Sequence, residues 1–308
     1  MQLHRVAFRA MGSPCELQLY SDDPRRAEAV CRRAAEDVLR LERRYSRYLD
    51  DSLTAAINRV AAQGGSLEVD AETAALLDYA ETCYRESDGL FDITSGALRQ
   101  VWRFDSGRLP KQAEIDRLLA RIGWDKVRWR RPRLGFRVPG MALDFGGIGK
   151  EYAADRAAAI CLEAGIRHGL INLGGDVRVI GPLPDGSPWQ VGMQDPQRPD
   201  RLLGGLLLSG GALASSGDYA RCLEIDGRRY GHILSPKTGW PVEGLAAVSV
   251  LADACLVAGS ACTIAMLKGR EGIPWLEGLG LSHLWIDAAG NRGGAGGLAG
   301  LTGATRAT

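Results

Sequence analysis

Residues 255–268 (CLVAGSACTIAMLK) constrain the fold more than any other stretch of the 308-residue chain, because they carry a single charge, at the far end. Wound into a helix, the stretch shows apolar side chains on nearly every side, so it must be buried on most sides by other elements. It is too short to cross a bilayer, which takes roughly 18 or more apolar residues, and no other run approaches that length. The elements available to surround it are unevenly distributed. Helical periodicity dominates the first half of the chain, and strand-like runs crowd the second. That segregation predicts an α+β fold rather than strict βαβ alternation.

The boundaries follow from local chemistry. Strands are expected over 3–8 and 14–20 around a turn at Gly12. Pro24 opens a helix through about Tyr45, in which Ala27, Cys31, Ala34, Val38, Leu41 and Tyr45 share one face. Its opposite face carries Arg25, Arg26, Arg32, Arg33, Arg40 and Arg44, read as solvated. Further helices are expected over 52–58 (with Ser52 as N-cap), 71–87, 110–121, the stretch from Gly149 to Glu163, and about 274–278. Strands are expected over 126–130, 134–138, 141–145, 169–173, 176–180, 189–194, 203–208, 211–215, 246–251 and 282–287. Asp226-Gly227 is a two-residue hairpin signal between 222–225 and 228–233. Residues 291–308 read as a flexible Gly/Ala-rich tail after one folded unit spanning 1–290.

Charge excludes some classes of function. With 38 basic and 37 acidic side chains, the net charge of +1 gives no overall field for nucleic acid or an anionic membrane. The seven cysteines are scattered and none forms CxxC, which argues against a disulfide framework or a Cys-rich zinc site. The N-terminus shows no apolar signal core and no lipid-anchor cysteine, so the cytoplasm is the expected compartment.

Several polar clusters stand at element ends. Leu143–Lys150 (LDFGGIGK) reads as strand, glycine turn and helix start, a place where backbone N–H groups and a lysine can face phosphate, or simply a tight turn. It is not a Walker A loop, because Glu151 follows the lysine. Asp144, Asp176 and Asp218 all fall at strand ends, where two carboxylates could hold magnesium over a pyrophosphate or could each merely form a turn. His232 leaves a hairpin strand beside Ser235, Lys237 and Thr238, and suits acid–base work or a structural role equally. Tyr48 and the stretch Gly89–Ala97, followed by Trp102, offer aromatics to stack on a flat ring or to fill a core.

Taken in order, these pieces resemble the FAD:protein FMN transferases, the ApbE-type family. The matching segments are Met11-Gly12-Ser13, Tyr48 with Ser52 and Asn58, Gly89–Gly96 with Trp102, and Leu143–Asp155. Asn172–Asp176, Ser215–Tyr219, His232–Val242 and the helix around Thr263 follow. The resemblance implies antiparallel sheets flanked by helices around a central FAD crevice. It also implies transfer of FMN from FAD to a Thr or Ser hydroxyl of an acceptor flavoprotein, with release of AMP and the help of Mg2+. Alternatives on the same scaffold are an FAD holder without transfer and an FAD pyrophosphatase giving FMN and AMP.

By the same resemblance, His232 would be the base, Lys150 a phosphate-facing cation, and Asn58 would stand where the family tunes transfer against hydrolysis. Flavin-binding positions carry over to Met11, Gly12, Tyr48, Asp92, Gly146, Gly147, Ile148, Lys150, Gly175, Asp176, Ser216, Gly217, Asp218, His232 and Ser235. Metal positions carry over to the Gly149 carbonyl and Thr263. The chain departs from the family at Gly259, where an aspartate metal ligand is usual four residues before the threonine, and at Ser235, where the family has Asp. Family acceptors carry a segment of the form Asp-Gly-x-Ser/Thr-Gly/Ser-Ala-Thr. The C-terminal residues 299–305 match it except for the leading Asp, which makes self-modification at Thr305 a second expectation.

Overall fold

A computed structural model describes residues 1–196, 198–218 and 222–302. Its centre is an eight-stranded, wholly antiparallel sheet. In spatial order it contains β1 (Gln2–Ala10), β2 (Ser13–Ser21), β6 (Gly169–Leu173), β7 (Asp176–Gly181), β10 (Gly211–Gly217), β13 (Leu245–Ala252), β14 (His283–Asp287) and β15 (Arg292–Ala295). A three-stranded sheet is made by β3 (Ser66–Glu68), β4 (Val127–Arg130) and β5 (Arg133–Phe136). Two ribbons pair β8 (Trp189–Asp195) with β9 (Arg198–Leu208), and β11 (Cys222–Ile225) with β12 (Arg228–Gly231). The α+β expectation holds, and among the described residues no helix is long and apolar enough to cross a membrane.

The helices are α1 (Pro24–Tyr45), α2 (Leu53–Ala62), α3 (Ala71–Glu86), α4 (Gln112–Leu119), α5 (Gly149–Glu163), α6 (Cys255–Lys268) and α7 (Gly272–Gly278). On one face of the large sheet, α1 packs on α5 and the first strands, while α6 lies along β10 and β13 against α5. The apolar α6 is enclosed as its sequence requires: Ala258, Cys262, Ala265 and Met266 are fully buried, among Val248 and Val250 of β13. The other face buries Val177, Val179, Leu213, Leu284 and Ile286 beneath Trp189, Val191, Met193 and Leu206 of the β8–β9 ribbon. The molecule is thus helices, sheet and ribbon in three layers.

Local signals set most boundaries. Asp23 caps α1 by accepting from Arg25 N (3.0 Å) and Arg26 N (3.2 Å), with Pro24 in the first turn. Ser52 caps α2 through Ala55 N at 3.0 Å. Asp226 (φ 52°) and Gly227 (φ 73°) make the β11–β12 turn with both residues left-handed. On the arginine face of α1, Arg25, Arg26, Arg32 and Arg33 are exposed as expected, while Arg40 and Arg44 are not simply solvated. Arg40 is a bidentate donor to Glu72 (2.8 and 2.8 Å) and Arg44 pairs with Asp70, so the helix end is tied to α3.

That tie has a pH signature. Hydrogen bonding to Arg40 holds the Glu72 carboxyl below its ordinary value despite partial burial. A carboxyl depressed in the folded state contributes stability above its unfolded pKa near 4.5, and the contribution is lost as pH falls through the lower folded value. Glu72→Gln should cost about 1 kcal/mol at pH 7, discounted for the half-open site. It should also narrow the gap between melting temperatures at pH 7 and pH 4; an unchanged gap would refute the assignment.

Two expectations are corrected. Residues 141–145 form no strand: Leu143 donates its N–H to Asn58 Oδ1 (2.7 Å) and its carbonyl accepts from Asn58 Nδ2 (3.0 Å), so a side chain takes the place of a ladder partner. The start of the supposed tail is built into the fold. Arg292–Ala295 pairs with β14, Gly296–Thr302 turns as a 3-10 helix, and Leu298 is fully buried. Its glycines serve close packing, since a Cβ at Gly293 would approach Trp285 Nε1 to 2.8 Å.

Candidate functional site

The antiparallel register gathers one set of chain segments at a single end of the large sheet. Cys15 faces Leu173, Leu213 faces Val177 and Gly217 faces Ala247. The β1–β2 turn at Met11-Gly12, the β6–β7 turn at Gly174-Gly175, the start of β7 at Asp176 and the end of β10 at Ser216-Gly217 therefore share that edge. Met11 (φ 53°) and Gly12 (φ 71°) are both left-handed, and Met11 N donates to Glu42. A Cβ at Gly174 (φ 61°) would lie 2.6 Å from Ser13 Cβ, so this glycine lets the two turns touch. Asn172 Oδ1 accepts from Gly175 N at 2.8 Å and fixes the second turn.

Lys150, in the first turn of α5, reaches this edge and pairs with Asp176 at 2.7 Å. The aspartate is buried and its other oxygen accepts from Ser215 N at 3.3 Å. Burial works against the lysine's charge, but Asp176 and Glu151 outweigh it and push the ammonium up to about 12. Lys150 therefore remains a cation at any physiological pH. The next residue, Glu151, is 8% exposed, and its Oε2 has no hydrogen-bond partner. Desolvation, with Asp176 adding to it, pushes its carboxyl up to about 8.

From α6, Thr263 Oγ1 lies 3.3 Å from Ser216 Oγ, and Ser215 Oγ lies 2.7 Å from Ser249 Oγ. Beyond Gly217, Asp218 packs against the β11–β12 ribbon: a Cβ at Gly231 would sit 2.9 Å from Asp218 Cβ. Burial raises the Asp218 carboxyl, and Arg229 opposes that rise. His232 follows Gly231 directly. The loop after it is rigidly held. Ser235 Oγ accepts from Lys237 N and Thr238 N (both 3.3 Å), Ser235 N donates to Trp240 O (2.8 Å), and Trp102 Nε1 donates to Gly239 O (2.7 Å). Ser235 is thus a turn former, a task its hydroxyl shares with the aspartate usual there.

On the other side of the glycine turn, Tyr48 is 71% exposed and Arg47 lies over its ring, 4.6 Å from the centroid. Arg47 also meets Asp144 Oδ2 at 3.3 Å. An exposed aromatic is thereby linked through two charges to the start of the glycine turn, a platform on which a flat ring can stack.

Several expected roles change. Gly146–Gly149 was expected to offer its amides to phosphate. Gly146 N instead donates to Asp144 Oδ1 (2.9 Å), while Ile148 N and Gly149 N donate to Phe145 O (3.0 and 2.8 Å). Those three donors are spent on closing the turn, and Ile148 is fully buried. Asp92 caps the 3-10 helix that follows it. It accepts from Thr94 N (2.8 Å), Thr94 Oγ1 (2.7 Å) and Trp124 N (3.0 Å) and is 6% exposed. Asn58 hydrogen-bonds both backbone groups of Leu143, next to the Asp144 turn. Tyr219 and Thr305 lie outside the described residues.

Sequence reasoning missed two residues. Asp155 accepts from Cys255 N and Leu256 N (2.9 and 2.9 Å) and so caps α6, setting the height of Thr263; its i+100 partner is invisible in a linear reading. Glu151 was noted only as the residue that breaks a Walker motif. Among the described residues no three His, Cys, Asp or Glu side chains are grouped to hold a metal. Surface hollows occur between Tyr20, Asp23, Arg26 and His168 and between Arg33, Asp37, Arg40 and Arg156. Neither contains an expected site residue.

Residues 11–285 match the model of the ApbE family. The chain is 33% identical to a Rhodobacter capsulatus protein named FAD:protein FMN transferase over 71% of its own length and 43% of that relative's. It is 32% identical to one of that name from Klebsiella pneumoniae, over 76% of this chain and 72% of the relative. The match thus spans under half of the first relative and nearly three quarters of the second. The fold superposes on the crystal structure of the ApbE protein of Thermotoga maritima with a TM-score of 0.89 at 29% identity, over 98% of this chain and all of that one. A structure titled flavinyl transferase ApbE from Pseudomonas stutzeri, in its apo form, gives 0.87 at 27% identity, covering 99% and 98%.

Proposed function

The chain belongs to the ApbE family, and on that premise we propose that it is an FAD:protein FMN transferase. The observation that carries the reading is the convergence at one sheet edge of the Lys150–Asp176 pair with Ser216 and Thr263. A permanently charged, largely buried lysine is what a pyrophosphate needs opposite its oxygens.

In the proposed reaction FAD lies with its ring toward Tyr48 and its diphosphate toward Lys150, Ser216 and the turns at Gly12 and Gly175. A Thr or Ser hydroxyl of an acceptor flavoprotein attacks the FMN-side phosphorus. Its proton passes to His232, the new P–O bond forms, and the bond to the AMP phosphate breaks with the electron pair leaving on AMP. Lys150 offsets charge building on the non-bridging oxygens. Oxygen donors suited to Mg2+ are present: the Thr263 hydroxyl, the Gly149 carbonyl and the orphaned Glu151 oxygen. Bound there, the ion would supply further neutralisation of phosphate charge. The near-zero net charge leaves nucleic acid without a field to follow. Seven free cysteines suit the reducing cytoplasm.

The test combines purified protein, FAD, Mg2+ and an acceptor domain bearing an Asp-Gly-x-Ser/Thr-Gly/Ser-Ala-Thr segment. Transfer gives an acid-stable flavin on the acceptor threonine, seen by intact mass. Free FMN and AMP without adduct would make the chain a pyrophosphatase. Bound but unconverted FAD would make it a holder.

A further inference from the structure

We infer that Glu151 takes over the task of the aspartate missing at position 259: reaching from α5 to α6, its carboxylate is the anionic ligand of a divalent cation beside Thr263. Gly259 precedes Thr263 by one helical turn, so a side chain there would share the threonine's face of α6. That space is already filled. A Cβ built at Gly259 would lie 3.0 Å from Glu151 Cδ and 3.0 Å from Oε1. The carboxyl group that the family resemblance expects on α6 is here delivered from α5, and the glycine is what admits it.

The state of the carboxyl group supports a ligand. Glu151 is nine-tenths buried and its Oε2 has no partner. Ionised, it is a buried charge whose Oε2 no donor meets. Protonated, it would still lack an acceptor for its O–H. Both forms therefore leave a buried polar group unsatisfied, which costs stability and is rare in folded proteins. A hard cation bonded to Oε2 removes the deficit, and Thr263 and Ser216 bring hydroxyl oxygens 3.3 Å apart to the same corner.

The inference rests on the proposed function, and the experiment separates the two. Mn2+ uptake is followed by electron paramagnetic resonance with Mg2+ as competitor, with and without FAD; FAD binding is followed separately by flavin fluorescence in EDTA. Glu151→Gln, which keeps the shape and removes the charge, should weaken Mn2+ and Mg2+ binding at least about tenfold. Its melting temperature without metal should be unchanged or higher, because an unpaired buried charge is gone. Gly259→Asp alone should lose stability by collision with Glu151. Glu151→Ala with Gly259→Asp should recover cation binding, the carboxylate having been moved back to α6. A Glu151→Gln protein that takes up Mn2+ like the wild type, a wild type that takes up none, or a double variant no better than Glu151→Ala would overturn the inference and leave the proposed function standing. Failure of FAD to bind would overturn the proposed function, while Mn2+ uptake without nucleotide still decides the role of Glu151.

Discussion

Lys150→Met should lower FMN transfer about 100–1,000-fold and destabilise the protein by about 3–5 kcal/mol. Two separate consequences of one side chain are involved. For catalysis, the ammonium is the cation nearest the proposed diphosphate, and a preorganised charge in a partly dehydrated site is worth far more than one in water. For stability, its removal strands Asp176, whose side chain is 3% exposed and whose other oxygen has only the 3.3 Å contact from Ser215 N. The two effects come apart in the double variant Lys150→Met/Asp176→Asn. Removing both charges should restore most of the melting temperature, because no unpaired buried ion remains, yet leave transfer as poor as in the single variant. A double variant that regained transfer would reduce Lys150 to a structural partner of Asp176.

How far this arrangement could be read from the residues depends on the range of the interaction involved. The course of α1 was legible because Pro24, the apolar stripe from Ala27 to Tyr45 and the following polar break all lie within its own length. The same holds for α6, whose composition dictated its burial, and for the Asp226-Gly227 turn. The strand expected over 141–145 failed because its apolar residues satisfy their backbone through Asn58, 85 positions away, rather than through a neighbouring strand. Residues 292–302 failed for a different reason. Glycine was read as freedom, whereas at Gly293 it is the space taken by Trp285.

The candidate site divides along the same line. Lys150 and Asp176 were singled out by type and position at element ends, Ser216 and Thr263 through the family resemblance, and antiparallel registration brings the strand ends together. Their pairing was not legible, since nothing local couples residue 150 to 176 or 216 to 263. The glycine turn shows the limit of motif reasoning: the residues are right for binding phosphate, but three of the four amides close the turn on Asp144 and Phe145. Gly259 shows the converse. In the linear sequence it is a lost ligand, and only the α5–α6 packing reveals that Glu151 occupies the vacated space. That packing also overturns the simplest repair, because restoring an aspartate at 259 without removing Glu151 would force two side chains into one volume.

His232→Asn should reduce transfer about 100–10,000-fold while changing FAD affinity only a few-fold. The backbone on either side of His232 is held by other residues. β12 ends at Gly231 against Asp218, and the following turn is locked by Ser235 and by the Trp102–Gly239 bond. If the ring removes the proton of the attacking hydroxyl, FAD binding must survive the substitution while the single-turnover rate of transfer is lost. Hydrolysis supplies the second criterion. A water molecule attacking the same phosphorus has the same proton to lose, so residual release of FMN and AMP should decline in parallel with transfer. A variant that stops modifying the acceptor yet hydrolyses FAD at the wild-type rate would mean that His232 positions the acceptor, and the base would then have to be sought among the groups facing Lys150.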